Sequence, residues 1–393
     1  MKKLLLPLLL IAGLTWAARA TTYYADNKTG NDANDGRSAA TAFRTLAKAT
    51  AVLKPGDVLE IAPGQTYHES LLLPRSGTPE KPVTVHGNGA VLSGLASIPD
   101  NSWKDCGGGL WHSPNNRQHG ALRPRVLAQT GRMVSVVCRT PKDVKPARLK
   151  PGEAIWNGDG IYLRLAEGES PVGKGFRGFY RATGVTIKDA SHIVVEDITA
   201  EHFANDGVNV HGRCEGLVFR NITTRANGDD GFSIHEDVMA SVYGLTTFNN
   251  DYGIQDVNAS QSFFCGVNAY SNRMCGVDFH GGLRILRDAH VRDNRGGQIR
   301  LRAGAAPGLG FTADNPLCRT RAYLRHVKVE SGEGEALLVG AGTDACVSES
   351  AFSGTDVGLL VQGELHFVKS TVGGCRQENI RRAEGGKLVT DAK

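Results

Sequence analysis

The sequence lacks the cysteine and histidine spacings of a structural zinc site. Its eight cysteines include no Cys-x-x-Cys pair, and none lies beside histidine at ligand spacing. An even cysteine count in an exported chain permits disulfides, and Cys265–Cys275 and Cys318–Cys346 are the first pairs to consider. The alternative is that several are small buried core residues. The sequence therefore predicts no metal centre of this kind and leaves the disulfides open.

The chain also lacks an apolar run long enough to cross a membrane. The run Leu4–Leu14 is too short for roughly 30 Å of hydrocarbon. It follows Lys2 and Lys3 and precedes Ala18-Arg19-Ala20, a small-x-small cleavage pattern. This order is typical of a secretory signal peptide over residues 1–20. We therefore expect a secreted or periplasmic protein with no membrane span.

A strong excess of one charge is missing too. Removing Lys2, Lys3 and Arg19 with the signal peptide leaves 42 basic residues against 40 acidic ones. Nucleic-acid binders normally carry an obvious basic excess, so we expect no nucleic-acid partner. Glycine is abundant, at 49 of 393 residues, which indicates many turns and favours a repeat architecture.

From about residue 185 the chain repeats itself every 22 to 24 residues. One apolar position recurs in each repeat, and its members are Val208, Phe232, Ile254, Val277, Ile299, Leu337 and Leu359. Short strands alternate around it, with Val208 and Val210 inward and Asn209 outward. Leucine ladders and helical 3.6-residue spacing are both absent. The pattern predicts an all-β fold, a right-handed parallel β-helix of stacked three-strand coils.

The remaining segments complete this solenoid. Residues 41–53 predict an amphipathic capping helix at the N-terminal end, and residues 56–64 the first strand and turn. The predicted regions are a signal peptide (1–20), the N-terminal cap and first coils (21–99), an insertion packed on the helix (100–182) and the main β-helix with its C-terminal coils (183–393), which carries a shorter insertion at 303–320. The aromatic residues of the first insertion are interpreted as local core or, alternatively, as the wall of a sugar-binding groove. They are Trp103, Trp111, Trp156, Phe176, Phe179 and Tyr180.

Two stretches resemble a known superfamily. The opening from Tyr23 to Gly36, followed by Ala42-Phe-Arg-Thr-Leu46, resembles that of many secreted bacterial β-helix proteins of the pectate-lyase-like superfamily. The stretch from Leu149 to Trp156, leading into residues 160–165, is similar to the insertion these proteins often carry. The resemblance covers nearly the whole mature chain and implies the β-helix fold. The superfamily includes lyases, hydrolases, epimerases and adhesins, so the resemblance leaves the reaction open.

In-register coils lie about 4.8 Å apart, which predicts columns of outward side chains on one face. The first column is Asn209, Ser233, Gln255, Asp278 and Arg300, and the second is His211, His235, Val257, His280 and Arg302. Asp206, Asp229, Asp230 and Asp251 lie at the turn just before. The candidate catalytic residues are Asp206, Asp229, Asp230, His235 and His280, and the candidate substrate-binding residues are Asn209, His211, Asp278, Arg300 and Arg302. Alternatively, the aspartates serve tight turns, and Asp278 and Arg300 form a structural pair.

Paired carboxyls suit glycoside hydrolysis. Retaining enzymes place them about 5 Å apart and inverting ones about 6.5–9.5 Å apart, and both spacings are available in this aspartate group. The motifs Asn205-Asp206-Gly207, Asp229-Asp230 and Arg300-Leu301-Arg302 partly resemble those of the polygalacturonase family. That resemblance implies aspartates acting as acid and base, with the two arginines holding a uronate carboxylate. The sequence departs from the family pattern because the expected Gly-His-Gly is missing and the arginines come one coil late.

β-Elimination is the rival chemistry. Arg300, Arg302 and His280 would suit a site that binds a carboxylate and removes the neighbouring proton. Carboxylates at Asp206, Asp230, Glu236 or Asp237 could then hold Ca²⁺, and no other cofactor is predicted. We expect a monomeric enzyme that cleaves glycosidic bonds in an acidic polysaccharide, uronate or sulfated, with hydrolysis ahead of elimination. The alternative is a non-catalytic glycan-binding or surface-adhesion protein.

Overall fold

The structure is a computed structural model that describes residues 20–114, 126–127, 135–136, 145–156, 159–304 and 318–391. Almost all of the predicted signal peptide and most of the predicted insertion at 303–320 lie outside these residues. Within them, no helix is both long enough and apolar enough to cross a membrane.

The described chain is built almost entirely of strands. One α-helix, α1, covers Leu46–Val52, and short 3₁₀ turns cover Ala39–Thr41, Asp100–Ser102 and Pro146–Arg148. The strands are β1 (Thr22–Ala25), β2 (Val58–Ile61), β3 (Thr66–Tyr67), β4 (Leu71–Leu73), β5 (Val83–Ser93), β6 (Leu95–Ser97), β7 (Lys104–Asp105), β8 (Leu110–Pro114), β9 (Val126–Leu127), β10 (Ser135–Val136), β11 (Glu153–Trp156), β12 (Gly160–Arg164), β13 (Arg177–Phe179), β14 (Val185–Lys188), β15 (Ile193–Glu201), β16 (Val208–His211), β17 (Arg213–Arg225), β18 (Asp230–Ile234), β19 (Asp237–Phe248), β20 (Tyr252–Val257), β21 (Gln261–Tyr270), β22 (Cys275–His280), β23 (Leu283–Arg292), β24 (Ile299–Arg302), β25 (Thr320–Val329), β26 (Glu335–Val339), β27 (Thr343–Ser348), β28 (Ala351–Ser353), β29 (Val357–Val361), β30 (Glu364–Val368), β31 (Thr371–Gly373), β32 (Glu378–Arg382) and β33 (Lys387–Thr390).

Two long parallel sheets form the solenoid. The ten-stranded sheet runs β4-β14-β16-β18-β20-β22-β24-β26-β29-β32, and the main path of the fifteen-stranded sheet runs β1-β2-β5-β15-β17-β19-β21-β23-β25-β27-β30-β33. Each main coil contributes a strand to both sheets, so the chain winds through about 12 turns. The predicted all-β right-handed parallel β-helix is confirmed.

The predicted inward register is also confirmed. Val208 pairs with Phe232, and the pairing continues through every predicted position to Leu359. It extends one coil before the insertion, because Val185 pairs with Leu71. The side chains at these positions are buried and belong to one continuous core. Burial of successive apolar layers is what stabilises a solenoid of this kind.

Strands of the fifteen-stranded sheet bend once in each coil at a residue with positive φ. Asp197, Asn221, Gly244, Gly266 and Asp288 occupy this position in successive coils, with φ between 50° and 73°. Glycine adopts this left-handed conformation without penalty, and Asn and Asp tolerate it better than other residues. The bend splits the sheet into two faces, which gives each coil the triangular outline expected of three short strands.

The N-terminal cap differs from the prediction in its limits. The helix begins at Leu46 and not at residue 41, because Thr45 accepts a hydrogen bond from Lys48 N and acts as the N-cap. Leu46 and Ala49 are fully buried and extend the core at this end. The first strand is β1, which pairs with β2, so the assignment of the first strand to residues 56–64 is corrected.

The insertion forms two small sheets outside the solenoid. One has the order β10-β11-β12-β8-β7, and the other has the order β6-β13-β9. Trp103 and Phe176 are buried and meet edge to face at 6.1 Å, and Phe179 is fully buried, while Tyr180 is exposed. The local-core interpretation therefore holds for Trp103, Phe176 and Phe179, whereas the side chain of Trp156 lies outside the described residues. The limits of the four predicted regions stay a prediction.

Neither of the two cysteine pairs considered, Cys265–Cys275 and Cys318–Cys346, forms a disulfide in the structure. Seven cysteines lie in the described residues, and all of them are free. Cys265 lies on the fifteen-stranded sheet beside Arg287, whereas Cys275 begins β22 on the ten-stranded sheet. Cys214, Cys275 and Cys318 are buried, as the alternative of small core residues predicts.

Candidate active site

The outward face of the ten-stranded sheet carries the first predicted column. Asn209 pairs with Ser233, Ser233 with Gln255, Gln255 with Asp278 and Asp278 with Arg300. Adjacent strands place such partners about 5 Å apart. The register thus brings the five side-chain positions into one row across successive coils.

The second predicted column lies beside the first. His211 and His235 stack with ring centroids 4.3 Å apart and planes 2° apart. Val257 pairs with His280, and His280 with Arg302. The candidate histidines are therefore divided by Val257, so His280 lies apart from the His211–His235 stack.

The turns that lead into this sheet are fixed by a ladder of buried asparagines. Asn227, Asn250, Asn272 and Asn294 are fully buried and recur once per coil. The amide of Asn227 donates to Oδ1 of Asn250 at 3.0 Å, and that of Asn272 donates to Oδ1 of Asn294 at 2.9 Å. Asn227, Asn250 and Asn272 each donate to the asparagine of the next coil, and Asn294 ends the ladder by donating to Oε1 of Gln298. Because every buried amide has a partner, the ladder holds the turn geometry. Asp229 and Asp230 follow the first rung directly.

Three aspartates converge at this turn. Carboxylate oxygens of Asp206, Asp229 and Asp230 all lie within 4.8 Å of one another. Asp206 and Asp230 are only 2% and 3% exposed, whereas Asp229 is half-buried. We name these three residues the acid group. Asp229 is its member nearest to solvent.

Asp206 is held by neighbours on both of its oxygens. Oδ2 accepts hydrogen bonds from the amides of Asn205, at 2.8 Å, and Asn209. Oδ1 accepts from the backbone N–H of Asp230 at 3.1 Å. Asn209, predicted to bind substrate, is 6% exposed and donates its amide to Asp206. In the structure it supports the carboxyl of Asp206.

Burial raises the pKa values of the two buried members of the acid group. It raises the pKa of Asp206 from 3.8 to about 7, helped by the charge of Asp229 and opposed by the hydrogen bonds from Asn209 and Asp230. Burial also raises the pKa of Asp230 well above its usual range, and the charges of Asp206 and Asp229 add to this effect. Close, desolvated carboxyls cannot all ionise together. The acid group therefore holds at least one proton near neutral pH.

Ser233 connects the acid group to the stacked histidines. Its hydroxyl donates to Oδ2 of Asp230 at 2.7 Å and lies 2.8 Å from Nε2 of His235. Burial, together with the charge of the neighbouring His211, lowers the pKa of His235 to about 4. His235 is therefore neutral at physiological pH and able to donate its Nε2 proton to Ser233.

The carboxylate of Asp278 forms an ion pair with Arg302 and not with Arg300, its register partner. Arg302 holds both oxygens of Asp278, with Nε 3.2 Å from Oδ1, and Nε2 of His280 lies 3.0 Å from Oδ1. Burial alone raises the pKa of Asp278, but the hydrogen bonds from His280 and Arg302 outweigh it, so the net shift is downward. Asp278 thus remains a carboxylate.

Arg300 also has protein partners. It donates to the carbonyl of Gly296 and lies 3.5 Å from Oε2 of Glu335. The sequence assigned Arg300 and Arg302 to a substrate anion. Both guanidinium groups have acceptors within this chain, and their assignment to a substrate anion stays a prediction.

Three further residues complete the face, and of these the sequence analysis did not single out Tyr252. Tyr252 pairs with Asp230 and with Cys275, and burial together with the charge of Asp278 raises its pKa. Glu236 lies 3.5 Å from Nδ1 of His211 and accepts from Gly212 N. Asp251, predicted at the turn, binds Arg273 of the next coil. Tyr252 had one sequence signal: it occupies the same register position as Asp230.

The acid group also meets part of the requirement for a cation site. Ca²⁺ takes six to eight oxygen ligands at about 2.3–2.6 Å, and three carboxylates at this spacing could supply several of them. Oδ1 of Asp230 is buried and has no hydrogen-bond partner among the described residues. Both oxygens of Asp206 already accept hydrogen bonds, so Asp229 and Asp230 would be the principal ligands.

Comparisons with known proteins place the fold. A family model described as right-handed beta helix region matches residues 183–315. The solved structure titled "The complex structure of XylC with xylose" is 13% identical, with a TM-score of 0.59 over 92% of this chain and 70% of that one. The GH136 lacto-N-biosidase from Eubacterium ramulus is 12% identical, with a TM-score of 0.56 over 94% of this chain and 67% of that one. A search of the curated proteins finds no match. At these identities the likeness shows the fold alone, which is that of a right-handed parallel β-helix.

Proposed function

We propose that this protein is a carbohydrate-active enzyme that hydrolyses glycosidic bonds. The observation that carries the proposal is the acid group, in which the buried carboxyls of Asp206 and Asp230 hold a proton near neutral pH beside the half-buried Asp229. Glycosidases need one protonated and one ionised carboxyl close together. The titles of two structures with this fold, one of XylC in complex with xylose and one of a GH136 lacto-N-biosidase, agree with a sugar ligand.

The solvent exposure of the three aspartates suggests their catalytic roles. Asp229 meets the substrate and acts as the carboxylate, either attacking the sugar or activating water. The Asp206–Asp230 pair supplies the proton for the leaving oxygen, which approaches through the opening at Asp229. Ser233 and the neutral His235 orient Asp230, and Asp278, fixed by Arg302 and His280, keeps a negative charge nearby.

The finer proposal is an acidic polysaccharide outside the cytoplasm. The signal-peptide pattern at residues 1–20 supports export. Because Arg300 and Arg302 already have partners, an anionic substrate needs cations elsewhere. Arg177 and Arg181, which line one cavity, would supply these cations.

Aspartate substitutions test hydrolysis. Asp229→Asn and Asp230→Asn should each abolish the release of reducing ends from pectin, alginate or a sulfated glycan while binding persists. Asn replaces the protonated form of Asp230 with little change in shape, so folding should survive. Asp288→Asn, on the exposed bend of the opposite sheet, is the matched control and should remain active. Binding without cleavage by the unmodified protein would leave the glycan-binding alternative.

A second candidate is a Ca²⁺-dependent lyase, which the spacing of the three carboxylates favours. Bound Ca²⁺ would supply positive charge beside a uronate carboxylate, and this chain's own residues would remove the proton next to it. Elimination leaves an unsaturated product that absorbs in the near ultraviolet. Absorbing products that disappear with a chelator would favour the lyase, whereas reducing ends that form without absorbance and resist the chelator would favour hydrolysis.

A further inference from the structure

A cavity of about 350 Å³ lies where the insertion meets the solenoid. Its walls are formed by strand β6 (Leu95–Ser97), His68, Arg177, Tyr180 and Arg181. Ligand pockets typically enclose about 300–1,000 Å³, so this one has room for part of a sugar chain. No carboxylate belongs to the part of its lining that the structure describes.

The two arginines of this cavity differ from those of the ten-stranded sheet. Neither Arg177 nor Arg181 lies within ion-pair distance of a carboxylate in the described chain, whereas Arg273 and Arg302 each hold an aspartate. Arg181 is positioned by one bond, from Nε to the carbonyl of His68 at 2.7 Å, which leaves its two terminal amino groups without a carboxylate. Among the described residues, the cavity therefore presents two guanidinium groups that have no ion-pair partner.

Glu69 interacts electrostatically with Arg181 but does not form an ion pair with it. The charge of Arg181 lowers the pKa of Glu69, but burial has the larger effect and raises it. Oε2 of Glu69 accepts a hydrogen bond from Leu46 N at 3.1 Å, which directs this carboxyl toward the capping helix. A guanidinium group without a carboxylate partner is suited to binding a planar anion in two parallel hydrogen bonds.

The cavity is fixed rigidly to the turn that carries Asp206. Leu95, Phe179 and Ala204 form one buried cluster, and Phe179 meets His202 edge to face at 5.5 Å. Ala204 N donates to the carbonyl of Arg181 at 2.8 Å, so Arg181 lies one coil from Ala204. Asn205 N donates to the carbonyl of Ala182 at 2.8 Å, and Gly184 N donates to the carbonyl of Asp206 at 3.1 Å, so Asp206 lies beside the residues that directly follow Arg181.

We propose that Arg177 and Arg181 form a subsite for the carboxylate or sulfate of an acidic glycan, beside the acid group. This inference rests on the proposed function, because it takes the acid group to act on a glycan, but it concerns binding alone. The exposed ring of Tyr180 offers an apolar face for the sugar, and the arginines bind its anion. A chain anchored there extends along the coils toward Asp229.

Calorimetric titration of the full-length protein tests the subsite. The probes are a galacturonate tetrasaccharide, the same tetrasaccharide with methyl-esterified carboxylates, and a sulfated tetrasaccharide of matched length. Arg177→Gln and Arg181→Gln should each weaken binding of an acidic probe about 10- to 100-fold, because a hydrogen-bonded charge is lost. Arg181→Lys should give an intermediate affinity, since it keeps the charge but loses the fork. The control is Arg319→Gln, an exposed arginine paired with Asp344 on the other sheet, and its affinity should match that of the parent.

The outcomes separate this proposal from the proposed function. Unchanged affinity in both cavity variants, equal affinity for the methyl ester, or failure of every acidic probe to bind would overturn the subsite. Arginine-dependent binding without cleavage would retain the subsite and refute the hydrolase. If Asp229→Asn abolished cleavage while Arg177→Gln and Arg181→Gln left it unchanged, the hydrolase would be retained and the subsite refuted. The tighter of the two acidic probes identifies the anion as carboxylate or sulfate.

Discussion

The hydroxyl of Ser233 donates a hydrogen bond of 2.7 Å to Oδ2 of Asp230. Both residues are buried, and this bond opposes the rise in the pKa of Asp230 that burial causes. The same hydroxyl lies 2.8 Å from Nε2 of His235. Ser233 is thus a positioning residue that acts through Asp230, one coil from Asp206.

Ser233→Ala should shift the pH dependence of the reaction. Without the hydrogen bond, the ionised form of Asp230 is less stable and its pKa rises further, so the limb of the kcat/KM profile that reports the acid group moves to higher pH. We expect kcat to fall about fivefold, as the loss of one hydrogen bond of about 1 kcal/mol implies. The measurement is kcat and kcat/KM between pH 4 and 9.

Ser262→Ala is the control for this experiment. Ser262 is also buried, but its hydroxyl has no hydrogen-bond partner among the described residues, and it lies on β21 of the opposite sheet. This variant should keep the parent profile. If Ser233→Ala and the parent gave the same profile, Ser233 would have no part in orienting Asp230.

Asp206 should make folding stability fall as the pH rises. Its pKa is about 7 in the folded protein against 3.8 in its ordinary state, so the folded chain holds this proton more tightly than the unfolded chain. The free energy of unfolding therefore decreases between about pH 4 and 7. Asp206→Asn removes this loss because Asn does not ionise. The free energy of unfolding of the variant minus that of the parent should therefore be larger at pH 8 than at pH 4. Urea unfolding at both pH values measures the change.

His235 acts in the opposite direction but does not disturb this comparison. Its pKa is lowered to about 4 from 6.5, so its contribution to stability rises with pH over that interval. Parent and variant share this histidine, and its effect cancels when the two are subtracted. A stability difference that stayed constant from pH 4 to 8 would contradict the protonated state of Asp206.

The spacing of the acid group predicts retention at the anomeric carbon. Its carboxylate oxygens lie within 4.8 Å of one another, close to the 5–5.5 Å or so of retaining enzymes and shorter than the roughly 6.5–9.5 Å of inverting ones. Proton NMR of the first product, recorded before mutarotation, should show the anomer of the substrate. The opposite anomer would mean that water attacks directly and that a more distant carboxylate, such as Asp251, acts as base.

The sequence predicted the columns because two periods determine them. Alternation along a strand decides which side chains face outward, and the 22- to 24-residue coil places Asn209 beside Ser233 and Asp278 beside Arg300. Both periods can be read from apolar positions alone. The asparagine ladder was not predicted but could have been, since its residues recur at the coil spacing: Asn227, Asn250, Asn272 and Asn294.

Side-chain direction could not be predicted in this way. Arg302 and Arg300 are both outward, yet only Arg302 holds Asp278, because a long side chain can reach a diagonal neighbour as easily as a direct one. Asp206 precedes its strand, where alternation does not apply, so its near-complete burial had no sequence signal. The cavity at Arg177 and Arg181 depends on how the insertion docks, which no repeat encodes.

One polar residue at an inward position could have been noticed. Asp256 pairs with Ile234 and Phe279, which both point into the core. It faces Arg284 of the opposite sheet, with Nη2 of Arg284 3.2 Å from its Oδ1, and both side chains are wholly buried. Arg284 also bonds the carbonyl and hydroxyl of Ser260. This ion pair crosses the interior just below the candidate site.

Breaking this pair from one side should cost more than replacing it entirely. Arg284→Met or Asp256→Leu alone leaves an uncompensated buried charge, and each should lower the free energy of unfolding by about 3–5 kcal/mol. The double variant buries two apolar side chains and should lose clearly less than the sum of the singles. The exposed pair Arg325–Glu349 is the control, where Arg325→Met should cost about 0–1 kcal/mol. Urea unfolding of the four variants completes the cycle, and additive losses in the double variant would show that the two side chains do not compensate each other.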